Sequence, residues 1–174
     1  MAKKKIFLIP VFLLMLASCT QVSEPQPVIF DTDMGNDVDD ALALAMLHRY
    51  ADEGEIQLLG VMINKNDPAS AEYIDIVDSY YGYGSVPIAV AERPADSSAD
   101  GRNAAGQNFV EAVVSKCDFS RSVKDYSALP SAVKLYRQLL AGQPDNSVTV
   151  ISTGFSTNLA ALLDSPADDI SPLT

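Results

Sequence analysis

The sequence predicts an α/β fold: an open, mostly parallel, Rossmann-like sheet with helices on both faces. Two observations predict it. Strand-like and helix-like stretches alternate along the chain, and the second strand-like stretch is almost continuously apolar, as a strand covered on both faces must be. In order, residues 28–32 read as the first strand, Gly35 as a turn, and residues 38–50 as a helix running into the acidic loop 51–54. Residues 56–63 are the second strand, and 69–81 a helix closed by Gly82 and Gly84. A short third strand spans 86–90. Residues 92–106, rich in Asp, Ser, Ala, Gly and Asn, read as a surface loop. Residues 109–114 and 130–140 are helical, with Pro130 suited to a first helical turn. A fourth strand at 148–151, its exit loop 152–156 and a helix at 157–163 complete the series.

The chain divides into three parts. Residues 1–18 carry Lys3, Lys4 and Lys5, then an apolar stretch from Ile6 to Leu16, and read as a lipoprotein signal peptide. Cys19 follows Leu16-Ala-Ser as in a bacterial lipobox and is the expected lipidation site; residues 19–27 form the tether and 28–174 the domain. The apolar stretch is short of the ~20 residues of a membrane span. The expected location is therefore the bacterial cell envelope, lipid-anchored and facing the periplasm or exterior. Removing residues 1–18 takes away three lysines and no acid, so the net charge of −11 becomes −14. Such acidity argues against nucleic acid as a partner and leaves the membrane touched only through the lipid. Beyond Cys19 only Cys117 remains, so the domain has no disulfide of its own. The chain stops directly after a helix, and we expect it to be cut short.

The chemistry concentrates at Asp31-Thr-Asp-Met-Gly-Asn-Asp-Val-Asp-Asp40, five carboxylates between an apolar strand and an apolar helix. Like charges crowded there repel unless some are protonated or a cation sits among them, and oxygen ligands suit Ca²⁺ or Mg²⁺. Asp39 and Asp40 fall in the first helical turn, where the helix dipole favours them. In open parallel sheets ligands sit outside the carboxyl ends of the strands. The Asp cluster follows strand one, Asn64 and Asn66 follow strand two, and Thr153 follows strand four, so all three fall on one edge.

The stretch Asp31-Thr-Asp-Met-Gly-Asn-Asp-Val-Asp-Asp-Ala-Leu-Ala-Leu44 resembles the opening motif of the inosine–uridine-preferring nucleoside hydrolases. Ile56-Gln-Leu-Leu-Gly-Val61 looks like that family's second strand, and Val148-Thr-Val-Ile-Ser-Thr-Gly-Phe-Ser-Thr-Asn-Leu159 is similar to its internal strand–loop–helix. The resemblance implies hydrolysis of the N-glycosidic bond of ribonucleosides to base and ribose, a role in nucleoside salvage. It implies a Ca²⁺ cofactor held by Asp33, Asp40 and the main-chain carbonyl of Thr153, with Asp39 as the base that takes a proton from the calcium-bound water. Asp31 would orient this shell or bind ribose, and Asn64 or Asn66 would hold a ribose hydroxyl. Met34 stands where the family has proline. Asn36-Asp37-Val38 lengthens the loop, so Asp37 competes with Asp39 for the base role. No histidine lies between residues 49 and 174, where the family places histidines near the leaving base, and the family domain is about twice this length.

Three other classes compete. In a haloacid-dehalogenase-type phosphatase Asp31 would be nucleophile and Asp33 general acid with Mg²⁺, but Asp37, Asp39 and Asp40 would go unexplained. An EF-hand loop fails at its fifth position, Gly35, and its twelfth, Leu42. A non-catalytic, lipid-anchored ligand-binding protein keeps the fold and loses turnover. A homo-oligomer is compatible with all of these. His48, ~12 Å along the helix from Asp40, reads as structural. Tyr80, Tyr81 and Tyr83 read as packing residues. Arg93, Arg102, Asn103 and Gln107 belong to a stretch that is either a surface loop or a lid.

Overall fold

Four strands, β1 (Gln26–Thr32), β2 (Ile56–Lys65), β3 (Ile88–Ala95) and β4 (Thr149–Ser152), pair in parallel in the order β3-β2-β1-β4. Among the described residues five helices join them: α1 (Asp39–Asp52), α2 (Pro68–Tyr81), α3 (Phe109–Lys116), α4 (Ala132–Ala141) and α5 (Thr157–Leu163), with a 3-10 turn at Tyr126–Ala128. This computed structural model describes residues 24–35, 37–65, 67–95, 106–116 and 118–172. The expected signal segment, Cys19, the tether as far as residue 23, Asn36, Asn66, residues 96–105 with Arg102 and Asn103, and Cys117 lie outside the described residues. No helix among the described residues is long and apolar enough to cross a membrane.

Strand side chains alternate between faces, and two separate cores result. Val28 and Phe30 of β1, with Leu58, Val61 and Ile63 of β2, pack against Leu44 and Leu47 of α1, Ala71 and Ile74 of α2 and Val110 of α3. Ile29, Leu59, Met62 and Ala89 pack on the other face against Ala132, Leu135 and Tyr136 of α4, with Leu159 and Leu162 of α5. Helices therefore cover both faces, as predicted.

The strand order decides where a ligand can enter. From β1 the chain steps outward through β2 to β3, then returns to place β4 on the other side of β1. The helix after β1 lies on one face and the helix after β4 on the other. That change of direction and of face makes a topological switch point, and in open parallel sheets the ligand crevice is expected there, outside the carboxyl ends of β1 and β4.

Most boundaries shift by a residue or two from expectation, and three of the shifts bear on the architecture. β3 begins and ends later than 86–90 and takes in Glu92, Arg93 and Pro94, which read as loop. It is an edge strand, where polar residues and a proline are tolerated. Its pairing starts at the Pro87 carbonyl, which accepts from Val61 N–H at 3.0 Å. Pro130 does not open α4. Ser131 caps that helix, accepting from Lys134 N–H, while the Pro130 carbonyl takes the Val90 N–H at 3.1 Å. α1 runs on to Asp52, two residues into the expected loop.

Candidate functional site

β1 delivers Asp31 and Thr32 to opposite faces, and each builds one wall of the crevice. Asp31 is fully buried on the α4 side. Its Oδ1 accepts from Asn64 Nδ2 at 2.6 Å; its Oδ2 accepts from Tyr136 OH at 2.7 Å and Asn158 Nδ2 at 3.2 Å. Burial raises its pKa, and these three hydrogen bonds oppose the rise. Both oxygens are occupied by neutral donors, so of its two expected roles the geometry fits orientation of the shell.

Thr32 faces α1. Its hydroxyl donates to Asp40 Oδ1 at 2.8 Å and accepts from Met34 N–H at 3.0 Å. Met34, standing where the resembled family has proline, thus supplies a donor that proline lacks. The Met34 carbonyl in turn accepts from Ser70 OH at 2.5 Å, which ties the acidic loop to the start of α2. From the other side, Thr153 N–H donates to the Asp31 carbonyl at 3.0 Å, and the Thr153 hydroxyl donates to Asp40 Oδ1. The next residue is bare by necessity. A Cβ on Gly154 would lie 2.7 Å from the Asp33 backbone nitrogen and 2.7 Å from its Oδ1.

Asp40 is the focus of this geometry. It is fully buried, and one of its oxygens takes two hydroxyl donors while Oδ2 has no hydrogen-bond partner. Burial, followed by the charges of Asp33 and Asp39, pushes its pKa up to about 6 against the two threonine hydrogen bonds. Half-buried Asp33 is also raised, first by burial, although its closeness to Asp40 and the Lys65 charge pull it down. Two carboxyls so close are both ionised only at a cost in repulsion, which a cation removes. Carboxylate oxygens of Asp37, Asp39 and Asp40 also lie within 4.8 Å of one another. Exposed Asp37 and Asp39 are unequal: Asp37 is raised and Asp39 lowered, in each case chiefly by the hydrogen bond between them. Of the two, Asp39 is the more readily ionised.

The donors fit a hard divalent ion: all are oxygens, several are ionisable, and one buried carboxylate oxygen stands without a partner. Lys65, buried at the end of β2 and 3.6 Å from Asp67 Oδ2, supplies the nearby positive charge. It reaches there because Gly35, at φ +119°, has no side chain; a Cβ would lie 2.9 Å from its Nζ.

Of the residues expected from sequence, Asp31, Asp33, Asp39, Asp40, Asn64 and Thr153 meet at this crevice, whereas Asn66 and Cys19 fall outside the described residues. Buried Asn64 keeps its Oδ1 free of partners. Thr153 acts on Asp40 through its hydroxyl, in addition to the carbonyl role expected of it. Thr32, Tyr136, Asn158 and Gly154 were not expected. Asn158 had a signal, lying in the Thr-Asn-Leu stretch; Tyr136 had none, because its partner is 105 residues distant. His48 is structural, as predicted: buried, bonded to Asp78 at 2.7 Å and stacked on Tyr81 and Tyr83. Tyr80 is 82 % exposed.

The family profile described as inosine-uridine preferring nucleoside hydrolase matches residues 28–171. The fold is similar to the crystal structure of the type III effector protein XopQ complexed with adenosine diphosphate ribose, and to that of the effector protein XOO4466. Each has a TM-score of 0.59 and 17% identity, over 82% of this chain and 39% of the other. At that identity the likeness concerns the fold, and the chain spans 39% of the length of these structures. None of the curated proteins matches it.

Proposed function

The chain belongs to the inosine-uridine preferring nucleoside hydrolase family, and from that premise we propose that it hydrolyses the N-glycosidic bond of ribonucleosides to free base and ribose, with Ca²⁺ as resident cofactor. The observation that carries this reading is buried Asp40, whose Oδ2 has no partner beside a second carboxyl, Asp33. Asp33, Asp40 and the Thr153 carbonyl would hold the ion. When bound, calcium would anchor the ribose diol and make a water easier to deprotonate. Asp39, exposed and with its pKa lowered, would serve as the base toward a water at this site. Asp37, hydrogen-bonded to Asp39, holds it in place. Asp31, locked by Asn64, Tyr136 and Asn158, fixes the floor, and the free Oδ1 of Asn64 is available to a ribose hydroxyl. A carboxylate-lined pocket also favours the positive charge that the sugar develops as the bond breaks. We further propose that the chain is a lipoprotein anchored through Cys19 and facing the periplasm or exterior, where it meets nucleosides rather than nucleic acid.

The test is ribose release from inosine, uridine and p-nitrophenyl riboside, with and without EDTA. Asp39→Asn should lower turnover by about a thousandfold and leave calcium affinity within about threefold of wild type. If Asp37→Asn is the inactive variant instead, the base is misassigned. A second reading is a binder of ribose-bearing ligands without turnover, favoured by the adenosine diphosphate ribose held by XopQ. Calcium-dependent thermal stabilisation by such ligands with no ribose released would support it.

A further inference from the structure

Among the described residues one arginine and one lysine are buried, and they are held differently. Arg137 is gripped on every side: its Nε and Nη2 donate to the two oxygens of Asp168 at 2.9 and 3.0 Å, and its Nη1 donates to Ser165 OH at 2.9 Å. Lys65 ends β2, and its side chain is 2% exposed. Its Nζ lies 3.6 Å from Asp67 Oδ2, an ion pair too long for a hydrogen bond. Asp67 is committed elsewhere. Its Oδ1 caps α2 by accepting from Ala69 N–H at 3.0 Å, and its Oδ2 accepts from Asn108 Nδ2.

The Lys65 ammonium lies instead against the acidic loop. A Cβ on Gly35 would come within 2.9 Å of Nζ, so the loop is folded around this group and only a bare residue, at φ +119°, leaves it room. The same charge acts on Asp33, earlier in that loop. Taking an ammonium out of water is costly unless opposite charges compensate it. Here the compensation comes from Asp67 and from the loop together.

We propose that Lys65 is a positioning residue for the acidic site, a built-in counter-charge that steadies the loop while no metal is bound and lowers the affinity with which calcium then binds. In the metal-free protein its attraction for Asp33 offsets repulsion among the loop's carboxylates. A dication held by Asp33 is repelled by the same ammonium. The calcium consequence rests on the function proposed above, whereas the counter-charge role does not.

Lys65→Met keeps an apolar stem and removes the charge, and two measurements on the full chain, in a mild non-ionic detergent, test the proposal. Urea denaturation in EDTA should show Lys65→Met raising the unfolding constant at least about tenfold. Adding Asp33→Asn should recover at least about threefold of that loss, because the uncompensated carboxylate is then gone; a lysine that only fills space would give no such recovery. Should Lys65→Met alone fail to fold, the double variant should fold, as far-ultraviolet circular dichroism would show. Calorimetric titration with Ca²⁺ should show Lys65→Met binding at least about fivefold tighter than wild type, the direction opposite to that of a site merely loosened. A double variant no more stable than Lys65→Met would overturn the proposal, as would calcium bound by wild type and held no tighter by Lys65→Met. Rescue by Asp33→Asn in proteins that take up no calcium would uphold the counter-charge and sink the calcium reading instead.

Discussion

Two regions of this molecule bury aspartates, and they treat them differently. Asp75, in the middle of α2, is saturated. Its oxygens accept from Ser122 N–H and Val123 N–H at 3.0 Å and from Tyr126 OH at 2.7 Å, so it anchors the segment between α3 and α4. Nearby Asp78 keeps one oxygen without a partner, but its other faces His48 at 2.7 Å, a side chain able to carry compensating charge. At the crevice Asp31 follows the Asp75 pattern. Asp40 does not: one oxygen is doubly bonded to hydroxyls, the other is bare, and the nearest ionisable neighbours are also acids. A buried carboxylate saturated by neutral donors holds structure. One left half-satisfied among its own kind is poised to take a cation.

The largest test of this contrast is Asp40→Asn. It should cut calcium affinity by about a thousandfold, or ~4 kcal/mol by titration calorimetry, while making the metal-free protein no less stable. Asp75→Ala should do the reverse. It strands two backbone donors and a tyrosine hydroxyl, so urea denaturation should show a loss of about 3 kcal/mol, with calcium affinity unchanged. Next comes pH. The folded Asp40 carboxyl is raised from 3.8 to about 6, so its contribution to stability is full below 3.8 and is lost as pH rises through about 6, a change of order 3 kcal/mol. Metal-free wild type should therefore approach Asp40→Asn in stability near pH 4 and fall behind it near pH 7, and saturating calcium should reverse the deficit. The smallest effect belongs to Tyr136→Phe, which removes one of three donors to Asp31. It should cost about 1 kcal/mol and lower ribose release several-fold without abolishing it. An Asp75→Ala protein that loses calcium while staying folded would break the distinction.

The fold was legible because β1 and β2 are covered on both faces and so read as apolar runs, and because the acids cluster within ten residues. The far end of β3 was not, since an edge strand can be polar and contain proline. The walls of the site were only partly readable. Asp31, Asp33, Asp39, Asp40 and Thr153 sit next to strand ends, where position alone gives them away. Tyr136 reaches Asp31 from a helix whose local pattern marks it as ordinary core. Asp75 and Asp78 did leave a trace, two acids inside the apolar stretch Tyr73-Ile-Asp-Ile-Val-Asp78, but periodicity does not say what satisfies them.

The bare α-carbon of Gly154 against the main chain of Asp33 has a consequence for how such a site can diversify. The gap between the two loops is gauged by polypeptide backbone, so, on the hydrolysis proposed above, replacing residues farther out would retune which nucleobase is accepted while the calibre at the sugar stays constant. Variants selected for new leaving groups should accumulate at the rim, with 33 and 154 untouched.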